Sequence, residues 1–433
     1  MNDVRAGAEA TDLSAKTTRS ALVRFLAILG PGLVTGAADD DPSGIGTYSQ
    51  VGAQFGYQMG WTMLFSYPLM VAIQEIAARI GSTTGHGIAA NLREHYPRWL
   101  LQIVVIALLI ANTINLGADI AAMGAAAAQL LPGPMQLWAV IITVLSVSAE
   151  AWLSYPRYAA VLKWATLALF AYVTTGIVAH VDWSAAFFGA VLPRLSFGAA
   201  AATALVAVLG TTISPYLFFW QSSQEVEELK RRHRKALCVA PRTAGPELRR
   251  IRMDTLVGMG FSNLIAMFIM VAVAATLHAH GIHNINTSVQ AAKALAPIAG
   301  RFASIIFAVG IIGTGLLALP VLGGSAAYAV CETFRWKTGL NRTPSTARAF
   351  YGVIAGATLI GVVLAFSPIN PMKALYWTAV VNGVLAAPLM AVMMLISSNP
   401  TIMRNLVISW RLRAVGWLAT AAMAAASVGL FVT

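Results

Sequence analysis

The chain has 433 residues, of which 58% are hydrophobic and only 11% are charged, and its mean hydropathy is +0.71. Soluble proteins carry about 25% charged residues, so this composition excludes a soluble globular protein and predicts a polytopic membrane protein. The formal net charge of +12 does not indicate nucleic-acid binding, because the basic residues stand in loops beside apolar segments, as membrane topology requires. We therefore expect the lipid bilayer as a partner and no nucleic acid.

Eleven apolar segments are long enough to cross a bilayer, at about 20 residues for each helix. We predict an all-α integral membrane protein with 11 transmembrane helices, in which an N-terminal tail over 1–25 precedes a single transporter domain over 26–433. The predicted spans are 26–51, 57–80, 99–131, 135–153, 159–180, 193–223, 255–279, 302–333, 348–366, 373–396 and 412–431.

The distribution of Lys and Arg between alternate loops predicts the orientation of these spans. Of the 29 basic residues, 25 fall on one side, nine of them in the segment 230–252, and the other four are Arg194, Lys293, Arg301 and Lys373. Because basic loops stay in the cytoplasm, we predict a cytoplasmic N-terminus and an external C-terminus in a bacterial-type inner (plasma) membrane. The segment 230–252 is expected to be a solvated loop that sets orientation, with binding of anionic lipid heads as the alternative.

The first predicted span contains three consecutive carboxylates, Asp39, Asp40 and Asp41, followed directly by Pro42. Each charged residue at the centre of a membrane helix costs about 3 kcal/mol, and the proline breaks the helix and frees carbonyl groups such as that of Ala38. Freed carbonyls and a carboxylate are hard ligands for a divalent cation, so we predict a cation site with Asp41 as its principal ligand. Asp39 and Asp40 cannot share the helical face of Asp41, and we expect them along an aqueous permeation path.

The sixth predicted span is interrupted in the same way by Pro215, where Thr211 and Ser214 offer hydroxyl and carbonyl oxygen atoms. Two interrupted segments in corresponding halves of a chain indicate an inverted-repeat transporter with its site near the bilayer midplane. The second break contains no Met, Cys or His, which favours a hard ion, although Mn²⁺ also accepts oxygen ligands. Two independent proline kinks without a ligand are the alternative.

Two further polar residues lie inside predicted spans. Asp119, in the third span, is a candidate for proton relay or for cation exit, and a structural hydrogen bond is an equally open role. Asn382, in the tenth span, is a candidate to close the cation site.

With these residues identified, the chain resembles the natural resistance-associated macrophage protein (Nramp) family of divalent-metal transporters. The resemblance rests on Leu29-Gly30-Pro31-Gly32, on Asp41-Pro42-Ser43-Gly44, on the segment 74–85 and on the second break at Pro215. It implies a LeuT-type fold with discontinuous helices 1 and 6. Helices 1–5 (about 26–180) and 6–10 (about 193–396) would form inverted repeats, and helix 11 (about 412–431) would be appended.

The departures from the family pattern bear on the transported ion. The family's first-helix motif reads Asp-Pro-Gly-Asn, and here Gly44 stands at the asparagine position. Its sixth-helix motif reads Met-Pro-His, and here Ser214-Pro215-Tyr216 replaces it, while Gln221 stands at a second histidine position. Asp119 matches a family carboxylate tied to proton transfer, but Ala122 replaces the acidic residue three positions on.

The resemblance implies a metal site and a path that leads to it. The expected metal ligands are Asp41, Ala38, Gly44, Thr211 and Ser214. The expected residues of the permeation or coupling path are Asp39, Asp40, Asp119, Tyr216, Gln221 and Asn382.

Because Ser214 replaces the motif's methionine, the site lacks the thioether sulfur that gives the family its preference for soft metals. A roomy site with only oxygen ligands suits a partly hydrated Mg²⁺. This pattern resembles the Nramp-related magnesium transporter branch. We therefore predict a transporter that moves Mg²⁺, with Mn²⁺ as a second ion, into the cytoplasm by alternating access and without obligatory proton coupling. The metal is the substrate, and we expect neither a cofactor nor an obligatory protein partner.

The sequence leaves three alternative functions. A proton-coupled Mn²⁺/Fe²⁺ importer of the ordinary Nramp type is the main alternative. A LeuT-fold carrier of organic solutes is disfavoured, because three aspartates at the break would repel a substrate carboxylate. An enzyme is not expected, since the spans contain no Ser/His/Asp, HExxH or cysteine nucleophile arrangement.

Overall fold

The computed structural model describes residues 31–152, 168–194 and 198–432, and within these ranges the regular structure is entirely helical. The predicted tail over 1–25 and the beginning of the fifth predicted span lie outside the described residues. The described helices of eight or more residues are α1 (Pro31–Asp39), α2 (Pro42–Phe55), α3 (Trp61–Thr84), α4 (Ile88–His95), α5 (Arg98–Ala128), α6 (Met135–Trp152), α7 (Phe170–Val178), α8 (Trp183–Val191), α9 (Ala199–Thr212), α10 (Pro215–Arg231), α11 (Ala244–Thr276), α12 (Ala303–Phe334), α13 (Arg348–Ala365), α14 (Pro371–Ser398) and α15 (Trp410–Val432).

Helices occupy the described part of every predicted span. In that part of the chain, eight helices are long and apolar enough to cross a membrane by length and composition. The first predicted span is divided into α1 and α2, the fourth is the shorter apolar helix α6, and the fifth is described only in part by α7. The all-α membrane fold is therefore confirmed, whereas the count of 11 crossings stays a prediction.

The segment 230–252 differs from the predicted solvated loop. Helix α10 continues to Arg231 and α11 begins at Ala244, so much of the segment is helical. Ion pairs explain these extensions, because Arg250 lies 2.6 Å from Glu225 and 2.7 Å from Glu247, and Arg234 lies 2.8 Å from Glu247. Many of the charged residues that the hydropathy pattern assigns to a loop are thus part of α10 and α11, at the facing ends of these two helices.

Both predicted breaks are present, and both have the same local cause. Helix α2 begins with Pro42 and α10 begins with Pro215, each at the first helical position. Proline is favoured there, because the N–H group that it lacks would have no partner within the helix. Asp41 and Ser214 are the residues immediately before these prolines, and both have extended backbone conformations. Each interrupted pair is therefore two helices joined by two residues outside the helices, the second of which has an extended backbone.

Close backbone packing fixes the first helix of each interrupted pair against another helix of the bundle. A Cβ atom at Gly210, near the end of α9, would lie 2.1 Å from the carbonyl oxygen of Ala379 in α14. On the other side of the bundle, a Cβ atom at Gly36 would lie 2.2 Å from the carbonyl oxygen of Gly258 in α11. Only glycine permits such approaches, so α9 is fixed against α14 and α1 against α11. These contacts set the walls of the space between the breaks.

Candidate metal centre

The Asp41 carboxylate lies at the junction of the two broken helices. Its Oδ1 atom accepts hydrogen bonds from the backbone N–H of Gly44 at 2.7 Å and from the Ser43 hydroxyl at 2.8 Å. It therefore caps the N-terminus of α2, where both the free N–H groups and the helix dipole favour a negative charge. Its Oδ2 atom accepts from Asn115 Nδ2 and from the Tyr216 hydroxyl, each at 3.0 Å. Four donors from α2, α5 and α10 thus fix the position of one carboxylate.

Oxygen atoms of both breaks lie close to the residues that hold this carboxylate. The Tyr216 hydroxyl also lies 3.3 Å from the Ala38 carbonyl oxygen, which places the end of α1 beside Asp41. A Cβ atom at Gly44 would lie 3.2 Å from Thr211 Oγ1, so the second break faces the first at this point. The Ser214 hydroxyl donates to the carbonyl oxygens of Gly210 at 2.6 Å and Thr211 at 2.9 Å, within its own chain segment. Neither contact reaches Asp41, so the role of Ser214 as a metal ligand stays a prediction.

Asn115 links Asp41 to two other predicted site residues, although the sequence analysis did not include it. Its Nδ2 group lies 3.5 Å from Asp119 Oδ2 as well as 3.0 Å from Asp41 Oδ2. Its Oδ1 atom accepts from the Thr378 hydroxyl at 2.9 Å and from Asn382 Nδ2 at 3.5 Å. The available signal was its spacing of four residues before Asp119, which places both side chains on one face of α5.

Asp39 and Asp40 point away from Asp41 towards α11. The Ser262 hydroxyl lies 2.5 Å from Asp39 Oδ2 and 3.1 Å from Asp40 Oδ1. Both residues are buried, because α1 packs against α11 on this side. An aqueous path past them is thus not formed in this conformation, and their role in permeation stays a prediction. Asp39 Oδ1 has no hydrogen-bond partner.

The centre carries a concentration of buried negative charge. Asp39, Asp40, Asp41 and Asp119 are each at most 2% exposed, and within the described ranges none of them forms an ion pair with a Lys or Arg side chain. An uncompensated buried carboxylate costs several kcal/mol, so such a group binds either a proton or a cation. In the described residues no three His, Cys, Asp or Glu side chains are placed to hold one metal ion. The candidate centre is accordingly one carboxylate with neutral oxygen atoms around it.

Two hydrogen bonds join α1 to α10 and to α11, on the side of the breaks that the positive-inside pattern predicts to be cytoplasmic. The Thr35 hydroxyl donates to Gln221 Oε1, and the backbone N–H of Gly32 donates to Asp254 Oδ2 at 2.8 Å. Gln221 therefore joins α10 to α1 below the breaks and does not contact Asp41. At the opposite end of α2, a cavity of about 450 Å³ is lined by Gln50 and Tyr376 among other residues.

These features define a class, an all-helical multi-pass membrane protein organised around two broken helices. The solved structure of the Eremococcus coleocola manganese transporter has this architecture, with a TM-score of 0.74 at 16% identity over 95% of this chain and 87% of that chain. The structure of MhsT in complex with L-phenylalanine matches 93% of this chain and 97% of that chain with a TM-score of 0.55 at 12% identity. The LeuT-type fold predicted from the sequence is confirmed by these neighbours.

The family model described as natural resistance-associated macrophage protein-like matches residues 32–433, and the chain belongs to this Nramp family. The divalent metal cation transporter MntH of Deinococcus radiodurans is 28% identical over 347 residues, which are 77% of this chain and 74% of that protein. The transporter of the same name from Klebsiella pneumoniae (strain 342) is 25% identical over 413 residues, or 94% of each chain. The predicted family is confirmed, and so is the prediction that the chain is a transporter and not an enzyme. The magnesium branch stays a prediction.

Proposed function

We propose that this chain carries divalent metal cations across the membrane, with Mg²⁺ as the principal ion and Mn²⁺ as a second one. The observation that carries the proposal is the Asp41 carboxylate, which is buried between two broken helices without a basic partner among the described residues. The relatives support cation transport, because two of them are named divalent metal cation transporters and the protein of the similar solved structure is named a manganese transporter. Alternating access between the two sides follows from the fold class.

The choice of ion rests on the chemistry of the candidate ligands. Asp41, the Ala38 carbonyl, Thr211 and Ser214 offer only oxygen atoms, and hard cations prefer such sites. Mn²⁺ also accepts oxygen ligands, so the ligand set alone does not separate the two ions. Uptake by purified protein in liposomes, with Mn²⁺ as the reported ion and Mg²⁺ in large excess, separates them. Strong inhibition by Mg²⁺ supports the proposal, and indifference to Mg²⁺ contradicts it.

Selectivity is expected to reside largely at Ser214 and Gly44. A Cβ atom at Gly44 would lie 3.2 Å from both the Asp39 carbonyl oxygen and Thr211 Oγ1, so a side chain there requires these neighbours to shift by a few tenths of an ångström. The double variant Gly44→Asn/Ser214→Met adds an amide oxygen and a thioether beside Asp41. We expect Mn²⁺ and Cd²⁺ binding to strengthen relative to Mg²⁺ by at least tenfold, or about 1.4 kcal/mol.

Isothermal titration calorimetry of the purified double variant and of the wild type measures this ratio. Each single variant serves as a control, because the sulfur ligand alone should account for most of the gain for Cd²⁺. An unchanged ratio of Mn²⁺ to Mg²⁺ affinity in the double variant would assign the preference to residues outside the two breaks.

We further propose that cations enter without obligatory proton entry. Histidine is the side chain that most readily exchanges protons near neutral pH, and the predicted spans 1, 3 and 6 contain none. The membrane potential supplies about 2.3 kcal/mol per charge per 100 mV, which is sufficient to drive a divalent cation inward. The N-terminus is proposed to be cytoplasmic in a bacterial-type inner membrane, as the distribution of basic residues predicts.

A proton-coupled Mn²⁺ importer is the second candidate, and one specific observation favours it. Asp119 is fully buried with an unpartnered Oδ1 atom, and Asn115 links it to Asp41. A carboxylate in that position is able to hold a proton whose affinity depends on the charge at Asp41.

A pH-sensitive dye trapped in proteoliposomes distinguishes the two candidates. We expect cation uptake to proceed at a clamped potential with no acidification of the lumen, and we expect Asp119→Asn to leave this result unchanged. Asp182→Asn is a control, because this exposed residue caps α8 away from the centre. Metal-dependent acidification in the wild type that disappears only in Asp119→Asn would refute uncoupled entry and establish the second candidate.

A further inference from the structure

Two histidines meet the C-terminal end of α2, at the opposite end of this helix from Asp41. His278 and His283 lie in the segment that follows α11, with their rings 4.9 Å apart and inclined by 70°. Their Nδ1 atoms are 3.3 Å from each other. The carbonyl oxygen of Ala53 lies 2.7 Å from His278 Nδ1 and 3.4 Å from His283 Nδ1. In the tautomer that carries the proton on Nε2, each Nδ1 atom has a lone pair, and the three atoms then form a small triangle of ligand atoms between α2 and this segment.

The dimensions of this triangle are close to those of a tetrahedral metal site. With metal–nitrogen distances of about 2.0–2.1 Å, tetrahedral geometry separates neighbouring ligand atoms by about 3.3–3.4 Å. Two of the three edges match this value and the third is shorter. One Nδ1–H group that donates to the Ala53 carbonyl oxygen satisfies one ring, and the Nδ1 lone pair of the other ring then faces the same point without a donor of its own. A cation bound by both Nδ1 lone pairs and by the carbonyl oxygen satisfies all three atoms together.

The position in the fold also favours a cation. Ala53 lies in the last turn of α2, where carbonyl groups lack helical partners and the helix dipole is negative. His283 is exposed and His278 is partly exposed, so a water molecule is free to supply a fourth ligand. Gln50, whose side-chain amide donates to the backbone oxygen of His283 at 3.3 Å, also lines the nearby cavity. A cation therefore has access from solvent at this end of the molecule.

We propose that His278, His283 and the Ala53 carbonyl form a binding site for a borderline metal ion, with Zn²⁺ as the best fit. Imidazole ligands select Zn²⁺ and similar ions over Mg²⁺, which takes oxygen ligands. The site is separate from the candidate transport centre, because Ala53 lies twelve residues after Asp41, or about 18 Å along the helix axis. A metal ion there ties the end of α2 to the segment after α11. The proposal does not depend on which ion the protein transports.

The test is Zn²⁺ titration of the purified full-length Asp41→Ala protein, followed by calorimetry. Removing the Asp41 carboxylate keeps the transport centre from contributing to the signal. We expect one Zn²⁺ per chain, with binding weakened at least tenfold when His283→Ala is added. The matched control is His280→Ala, because His280 lies in the same segment and contacts the Thr276 carbonyl oxygen instead. We expect this control to bind Zn²⁺ as tightly as its parent.

A conservative variant and a spectroscopic measurement distinguish loss of the metal site from misfolding. His278 packs closely on Gly56, so the exposed His283 is the safer position to change, and His283→Gln is the conservative variant. Co²⁺ bound to imidazole in a tetrahedral site absorbs visible light strongly, and this band should be present in the parent and absent from His283→Gln. Zn²⁺ affinity and Co²⁺ absorption that are the same in the parent and in both His283 variants would overturn the proposal.

Discussion

Replacing Asp41 by Ala is expected to abolish cation uptake while leaving a folded, membrane-inserted protein. Among the described residues, Asp41 is the one carboxylate whose side chain accepts hydrogen bonds from both broken helices, since it caps α2 and accepts from the Tyr216 hydroxyl of α10. Its removal deletes the only formal charge among the proposed ligands, so the remaining carbonyl and hydroxyl oxygens are too few to replace the hydration shell of a divalent cation. The lost helix cap costs about 1 kcal/mol, which a folded membrane protein tolerates.

Uptake of Mg²⁺ and Mn²⁺ into proteoliposomes measures this effect, and size-exclusion chromatography reports folding. Asp41→Asn keeps the shape and part of the capping, and it should be as inactive as Asp41→Ala if the charge is what binds the cation. Asp182→Ala is the matched control, because Asp182 also caps a helix through a backbone N–H, at 2.9 Å, but far from the breaks. Normal uptake of either ion by well-folded Asp41→Ala protein would remove the cation site from this position.

Replacing Asn115 by Ala is expected to lower uptake at least tenfold. Its side chain donates to Asp41 and accepts from Thr378, so its loss removes one of the four hydrogen bonds to the Asp41 carboxylate and leaves the buried Thr378 hydroxyl of α14 without this acceptor. An unsatisfied buried group costs about 1–3 kcal/mol, and the Asp41 carboxylate is then held by three donors instead of four. We therefore expect a weaker apparent cation affinity together with a lower maximal rate.

Asn112→Ala provides the comparison, because Asn112 lies on the same helix and is equally buried. Its side-chain amide donates to the Leu322 carbonyl oxygen and to the Ser325 hydroxyl, and it has no contact with Asp41. Thermal unfolding and uptake are measured for both variants. Loss of stability in both, with loss of uptake only in Asn115→Ala, agrees with the structure. Equal uptake per folded molecule in the two variants would mean that Asn115 does not act on the cation site.

The parts of the centre that sequence reasoning found are those with a local signature. Pro42 follows a run of carboxylates, and Pro215 stands in the middle of the sixth apolar segment. A proline inside a helix clashes with the preceding turn, so both breaks can be predicted from the sequence without knowledge of the tertiary structure. The contact between the breaks was expected from the family's fold, and the Tyr216 hydrogen bond to Asp41 agrees with it.

The parts that sequence reasoning missed depend on partners far away in the chain. Asn115 is one polar residue on an apolar helix, and its partner Thr378 is 263 positions distant. Ser262 is 223 positions from Asp39, so the direction in which Asp39 and Asp40 point could not be read from their spacing. The helical extensions between 225 and 252 were missed for a similar reason, because ion pairs between two helices stabilise charged turns that hydropathy assigns to a loop.

The bond between Ser262 and the first two aspartates has a consequence for the direction of ion release. If the predicted permeation path runs past Asp39 and Asp40, opening it requires α1 to separate from α11, and this separation would withdraw the Ser262 hydroxyl from both aspartates. Water then reaches two carboxylates that were previously shielded, and hydration favours their ionised form. On the proposed path, the same movement that exposes Asp39 and Asp40 would therefore place two anions next to Asp41, where they would attract the departing cation.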